Sequence, residues 1–467
     1  MTSTVEQAPD KLDPHVLRTA MAVIVGGIAV IFDTTIVSVA LHELGTDLHA
    51  GVNAIQWIST GYLLAMFVAI PVAGWAQQRF GGKRLWLAAL TLFLLGSVLC
   101  SFAWDVGSLI AFRVVQGLGG GVMMPLMITM IMQAAHGQNL GRLMAAVSLP
   151  TALGPILGPV VGGVILHWGD WRWLFLVNVP LCLVGLFAAY RVLEPDGPVR
   201  RVRLDWVGLL LISPAVVGII YGLSNVADGG FGQASVLAPA VAGAALLLAF
   251  LAWAVRRQGD ALVDVRLFSH RPLAASSALM FLAGAVLYGA MLLLPLYYQQ
   301  LRGGTALAAG LLLIPQGVGA LVSRTTAGRL TDQVGPRWVA VAGFLVVAAA
   351  TVPFAFSDAS TSYWLLGAAL FVRGLGMGAV MVPMMGAAYV GLERAEVPHA
   401  SIITRVAQQL GGSFGVALLA VILQHATSGL GPAAGFDRAF WWASGFGVLA
   451  AALALMLPGR TSASAQG

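Results

Sequence analysis

What most limits the fold of this chain is the recurrence of apolar stretches of about 20 residues, joined by short loops that hold nearly all of its charge. At 1.5 Å per residue, a helix of about 20 residues spans about 30 Å, the depth of a bilayer's hydrocarbon core. Such runs fall at roughly 16–41, 54–76, 85–103, 108–132, 141–166, 172–193, 206–224, 234–255, 273–298, 306–329, 338–356, 362–390, 401–425 and 437–457. They fill most of the 467 residues and leave no room for a separate soluble domain. Barrel strands would be about 10 residues long with alternating polarity, a pattern these runs lack. Charged residues make up 9% of the chain, against about 25% in soluble proteins, too few to coat a water-soluble particle. An ordinary soluble enzyme is therefore excluded. The expected fold is an all-α polytopic membrane protein with about 14 transmembrane helices.

Loop charges give the orientation. With a cytoplasmic N-terminus, nearly all Lys and Arg residues fall on the inside, including the Arg191–Arg203 and Arg256–Arg271 loops and Arg324, Arg329, Arg337 and Arg405. Only Arg172, Arg302 and Arg438 fall outside, and Arg113 and Arg373 lie within helices. This is the positive-inside pattern, and it predicts that both termini are cytoplasmic in a multi-pass plasma-membrane protein. The net charge of +6 is explained by these loops and calls for no nucleic-acid partner. Cys100 and Cys182 both sit in apolar runs, so no disulfide framework is expected. The eight histidines are scattered without metal-ligand spacing, and no cofactor or metal is implied.

The two halves echo each other. Gly117-Leu118-Gly119-Gly120-Gly121 is matched by Gly374-Leu375-Gly376-Met377-Gly378, and the loop from Gly74 to Arg84 by the loop from Gly328 to Arg337. Duplicated halves around a midplane site are a common plan of secondary transporters. The chain therefore divides into an N-terminal tail (1–15), a six-helix bundle (16–193), two inserted helices (194–260), a second six-helix bundle (261–457) and a C-terminal tail (458–467).

Four strings carry chemistry. The Gly74 loop, with Arg79, Gly81, Lys83 and Arg84, reads as a tight turn with cations at helix ends. Arg113, Gly117, Gly121 and Pro125 are spaced by four and share one helix face. A guanidinium inside a membrane helix costs about 2.5–3.5 kcal/mol, so Arg113 either faces protein or water or snorkels to the headgroups. In the fifth run, Gly154, Gly158 and Gly162, with Gly163 beside them, allow close backbone approach, while Pro155 and Pro159 bend the helix. Asp33, in Phe32-Asp33-Thr34-Thr35-Ile36-Val37, is a carboxylate inside an apolar run; a desolvated acid is a site of proton exchange or cation contact, or else a structural polar contact.

Together these strings resemble the major facilitator superfamily, and within it the fourteen-helix drug:proton antiporters. The Gly74–Arg84 loop is similar to that family's signature latch loop, although Gln78 stands where the family has an acid; Asp332 keeps the acid in the second-half copy. Arg113-Val114-Val115-Gln116-Gly117 resembles the exporter Arg motif, and Gly154-Pro155 to Gly163 the antiporter motif. The Asp33 string resembles the first-helix motif of the same branch, with Ser38 and His42 replacing its Asn and Pro. Gln56-Trp57-Ile58-Ser59-Thr60-Gly61-Tyr62 and Trp171 to Pro180 add to the likeness. The resemblance implies a proton-driven exporter of lipophilic, cationic small molecules. Asp33 and Arg113 would couple protons, and Gly74, Arg79, Gly81, Lys83, Arg84 and Asp332 would act as a latch. Partners are then protons, lipophilic substrates and the bilayer, with a monomeric carrier of bacterial origin expected. Tyr62, Gln116, Met123, Met127, Tyr288, Met381 and Gln409 are the expected cavity residues, because Met adapts to irregular apolar cargo, though it fills cores equally well. A uniporter or lipid exporter on the same fold, or a membrane receptor, are the alternatives.

Overall fold

The computed structural model describes residues 14–37, 40–49, 52–135, 161–166, 168–197, 203–226, 232–257, 261–304, 306–358, 360–393 and 396–459, together with Gly154 and Gly158. Helices dominate: α1 (Pro14–Ile36), α2 (Val52–Phe80), α3 (Gly82–Ser101), α4 (Val106–Ala135), α5 (Asn178–Val192), α6 (Trp206–Ser224) and α7 (Ala234–Arg256). The second half continues with α8 (Arg271–Leu296), α9 (Ile314–Val334), α10 (Pro336–Thr351), α11 (Tyr363–Ala387), α12 (Val397–Leu430) and α13 (Pro432–Ala454). Eleven helical stretches among the described residues are long and apolar enough to cross a membrane. α9 and α13 occupy two further predicted runs, and the fourteenth, at 141–166, lies partly outside the described residues.

Pairing divides these helices into two groups. α1 to α5 pack on one another, with α2 on α4 and α3 on α4 as the most extensive contacts. α8 to α13 do the same, led by α8 on α12 and α9 on α11. α6 and α7 pair with each other, and α6 also touches α2 and α12, one helix from each half. Glycines set several of these approaches. A Cβ on Gly117 would run into the Tyr62 carbonyl and one on Gly121 into the Met66 carbonyl, so the Gly stripe of α4 lies directly on α2.

Three predicted runs are interrupted. The first was expected to continue to residue 41, but α1 ends at Ile36 and a short helix, Leu41–Asp47, follows. Thr34 and Thr35 donate from their hydroxyls to the carbonyls of Ile31 and Phe32, competing with the helix ladder next to β-branched Ile36 and Val37. The run at 172–193 divides into Trp173–Leu176 and α5, and the run at 306–329 into Ala306–Leu312 and α9. Hydropathy cannot register such breaks, because the residues on both sides are apolar.

The halves meet at the end of the molecule that carries the basic loops. Thr129 of α4 and Ser401 of α12 share a hydrogen bond of 3.2 Å, and Gln78 of α2 lies 3.3 Å from the His399 ring of α12. Around them one apolar cluster includes Ile70 and Ile131 from the first half and Ala327, Val397, Ala400 and Ile403 from the second. The remaining large clusters each belong to one half: Ile36, Ile58, Trp171 and Phe175 towards the opposite end of the first, and in the second a cluster that runs the length of the half, from Leu457 to Tyr297, Phe354, Phe436 and Phe440. The described packing thus closes the cleft between halves at the basic end.

Candidate functional site

Asp33 lies in the last turn of α1, close to the end of the helix, yet it is wholly buried at 0% exposure. Arg113, 1% exposed, comes from the second turn of α4 and donates from Nη1 to Asp33 Oδ2 at 2.5 Å. The other carboxylate oxygen, Oδ1, accepts from Gln116 Nε2 at 2.9 Å and from Asn178 Nδ2 at 3.0 Å. Ser97 Oγ on α3 accepts from both of those amides, at 2.6 and 3.3 Å. Four helices therefore converge on one acid that meets donors only, the environment of an ionised carboxylate. The guanidinium is held in turn: Nη1 also donates to Gln116 Oε1 at 2.7 Å, Nε donates to the Ile58 carbonyl at 3.4 Å, and the group lies 3.9 Å from the Tyr62 ring centroid. The Tyr62 hydroxyl and Asn178 Oδ1 are buried without a hydrogen-bond partner, an unused donor and acceptor in the same cluster.

The fifth predicted run reaches this site directly. Thr35 Oγ1 donates to the Gly154 carbonyl at 3.0 Å, a Cβ on Gly154 would press on Ile31, and one on Gly158 would meet the Thr35 hydroxyl. The small-residue face thus lies against the turns of α1 that flank Asp33. Gly162 is buried, and a Cβ on Gly163 would meet nothing within 4 Å. Pro155 and Pro159 lie outside the described residues.

At the basic end, Gly81 has a φ of +91°, and Gly335, its counterpart in the second half, +94°, a left-handed region that glycine enters without strain. Lys83 and Arg84 donate their backbone N–H groups to Asp196, at 2.8 and 3.0 Å, and Lys83 Nζ donates to the Tyr190 and Leu193 carbonyls at the end of α5. Gly74 lets α2 approach α12: a Cβ there would sit 3.1 Å from Ile402. Arg79 lies over the Phe80 ring, and Asp332 is exposed near the end of α9. Among the expected cavity residues, Tyr62 and Gln116 belong to the Asp33 cluster, Met123, Met127 and Met381 are buried within their own bundles, and Tyr288 and Gln409 are half-buried.

Ser97, Asn178 and Asp196 were not expected as site residues. Each is a polar residue in or beside an apolar run, which is the one local signal that marks them. The second half also holds a polar cluster at the matching place. Arg373 stands immediately before Gly374, as Gln116 stands before Gly117, and Thr351 is as far into α10 as Ser97 is into α3. Arg373 donates to Thr351 Oγ1 at 3.2 Å, Gln316 Oε1 at 2.7 Å and the Val286 carbonyl at 3.2 Å.

Two repeated membrane bundles that close against each other at one end, with a buried ion pair inside one of them, define a polytopic carrier rather than an enzyme. The Major Facilitator Superfamily model matches residues 23–416 and 277–466, and the chain belongs to that family. It is 38% identical over 420 residues to a "Multidrug resistance protein B homolog" of Mycobacterium tuberculosis, covering 89% of this chain and 78% of the relative. The "Lincomycin resistance protein LmrB" of Bacillus subtilis is 27% identical over 417 residues, covering 87% of this chain and 85% of that one. The solved proton:xylose symporter XylE shares the fold, with a TM-score of 0.64 at 18% identity over 94% of both chains.

Proposed function

We propose that this protein is a proton-coupled exporter in a bacterial plasma membrane, exchanging protons for lipophilic small molecules by alternating access, with both termini in the cytoplasm. The observation that carries this reading is the Asp33–Arg113 pair, an acid and its counter-cation sealed among membrane helices. An ion pair is costly to bury, and an intramembrane acid marks a proton route more often than a scaffold. In the conformer described, solvent does not reach the carboxylate, so a proton reaches it only when the packing around α1 and α4 opens towards the outside. A proton arriving on Asp33 removes the charge that holds Arg113. The guanidinium then relies on Gln116, the Ile58 carbonyl and the Tyr62 face, and the α1–α4 contact loosens. Because the antiporter-motif glycines rest on the same turns of α1, that loosening passes to the cleft between the halves.

The drive is sufficient. One charge moving through 100 mV releases about 2.3 kcal/mol, which sustains a gradient of about 50-fold. The expectation of cationic cargo had Asp33 as the group that meets the cation; here the cation beside Asp33 is Arg113. In energised everted vesicles loaded with fluorescent dyes of both charge signs, Asp33→Asn is expected to cut proton-driven accumulation at least about tenfold, equal to about 1.4 kcal/mol of lost coupling. Accumulation at the wild-type rate, still abolished by an uncoupler, overturns this role for Asp33.

A further inference from the structure

Within the helices of the second half, Arg324, Arg373 and Arg405 bury guanidinium nitrogens with no carboxylate deep in the same helices to balance them. No Asp or Glu falls within α8, α10, α11 or α12, and the acids of α9 and α13, Asp332 and Asp437, lie near helix ends. Each nitrogen of the Arg373 guanidinium donates to a neutral partner. Arg324 differs: at the middle of α9 and 7% exposed, it has no partner for Nε or Nη1 among the described residues. Arg405 donates from Nη1 to Gln408 Oε1 at 3.1 Å, and its buried Nε has no partner. Both fall inside predicted apolar runs, 306–329 and 401–425, with their charges counted on the cytoplasmic side. Arg324 lies ten residues, about 15 Å, from the end of α9, where the apolar stretch of that helix ends, and its side chain is packed among helices rather than in a loop.

The two arginines also share a depth. Ala327 belongs to the layer where the halves close, and Arg324 precedes it by one turn on a helix running towards the basic end. Ser401 bonds across that layer to Thr129, and Arg405 follows it by one turn on a helix running away from the basic end. Both therefore stand one turn beyond the closed layer, on the side where the halves part. Ser401, Arg405 and Gln409 are spaced by four, so Arg405 occupies the stripe of α12 that meets the first half.

We propose that the molecules this protein carries bear an acidic group, a carboxylate, sulfonate or phenolate on an apolar body, and that Arg324 and Arg405 receive it at the closed end of the cleft. The inference rests on the transport reading above. A buried unpaired guanidinium is expensive, and an anion supplies both the missing countercharge and the missing acceptors. A lipophilic cation would meet two positive groups there, Arg324 and Arg405.

The test is equilibrium binding to the purified full-length protein in detergent, without any gradient, read by fluorescence polarisation. The probes are fluorescein, an anion, and rhodamine 123, a cation on the same xanthene frame. Fluorescein is expected to bind wild type at least about tenfold more tightly than rhodamine 123, and Arg324→Gln or Arg405→Gln to weaken it about tenfold, the worth of one charged hydrogen bond. Neither substitution should weaken rhodamine 123. Arg324→Lys, which keeps the charge, should retain more fluorescein affinity than Arg324→Gln and covers the case in which the Gln variant does not fold. Tighter binding of rhodamine 123, no fluorescein binding to folded wild type, or unchanged fluorescein affinity in both Gln variants overturns the proposal. A wild type that binds fluorescein through both arginines but does not move it overturns export instead, and leaves this site standing.

Discussion

Asp33 and Arg113 illustrate how a charged pair persists among apolar helices. The carboxylate accepts from three side chains and the guanidinium has a ring beneath it, so every strong interaction of one presupposes the other. Removing one partner strands a buried charge, which typically costs about 3–5 kcal/mol, whereas removing both together costs far less. Arg113→Met is therefore expected to destabilise the protein by about that amount, and Asp33→Asn combined with Arg113→Met to recover most of it. Thermal or denaturant unfolding in detergent measures both; equal losses in the single and double variants would contradict the pairing. The acid and the arginine were both legible in the sequence, because a charge inside an apolar run is conspicuous. Their neighbours were not. Ser97 and Asn178 are ordinary polar residues until tertiary packing brings them beside an acid far away in the chain, and Gln116 was expected in the cavity rather than on the carboxylate. The surroundings of Arg324 and Arg405 were not legible for a related reason: both fall inside predicted runs, and hydropathy spreads charge over a window and does not say whether an arginine near a run's end faces loop or core.

At the scale of helices, spacing proved more informative than hydropathy. The four-residue stripe of α4 does lie on α2, and the glycines of the fifth run do meet another backbone, that of α1 around Asp33. The ends of runs were less legible: α6 spans the residues expected, whereas α1 stops short of its predicted limit because threonine hydroxyls compete for its last carbonyls. Two neighbouring glycines separate packing from mere helix flexibility. A side chain at Gly158 meets Thr35, while one at Gly163 meets open space. Gly158→Val should cost about 1–3 kcal/mol by overpacking and depress transport with it, and Gly163→Val should leave both near wild type. Unfolding midpoints and dye efflux of the two variants, compared side by side, check this; an equal loss at both positions would remove the proposed contact with the Asp33 turn.

For the molecule as a whole, closure at the basic end is the feature that fixes its state. Thr129 and Ser401 stand 3.2 Å apart across the two halves, while the remaining large apolar clusters each stay within one half. A Thr129→Cys, Ser401→Cys variant should form a disulfide under mild oxidation and stop transport until a reductant is added; the native Cys100 and Cys182 are buried and free, and do not interfere. Transport that continues through the oxidised form would mean that this layer does not open during the cycle. The central claim, that the Asp33 carboxyl carries the proton exchanged for cargo, is tested most directly by counting protons. Purified protein in weakly buffered detergent solution is saturated with a dye whose own charge does not titrate, 8-anilinonaphthalene-1-sulfonate or rhodamine 123, while a pH indicator records the change. Wild type should release on the order of one proton per dye bound, by linkage between the two sites, and Asp33→Asn should bind dye and release none. The same proton yield from Asp33→Asn would contradict the account.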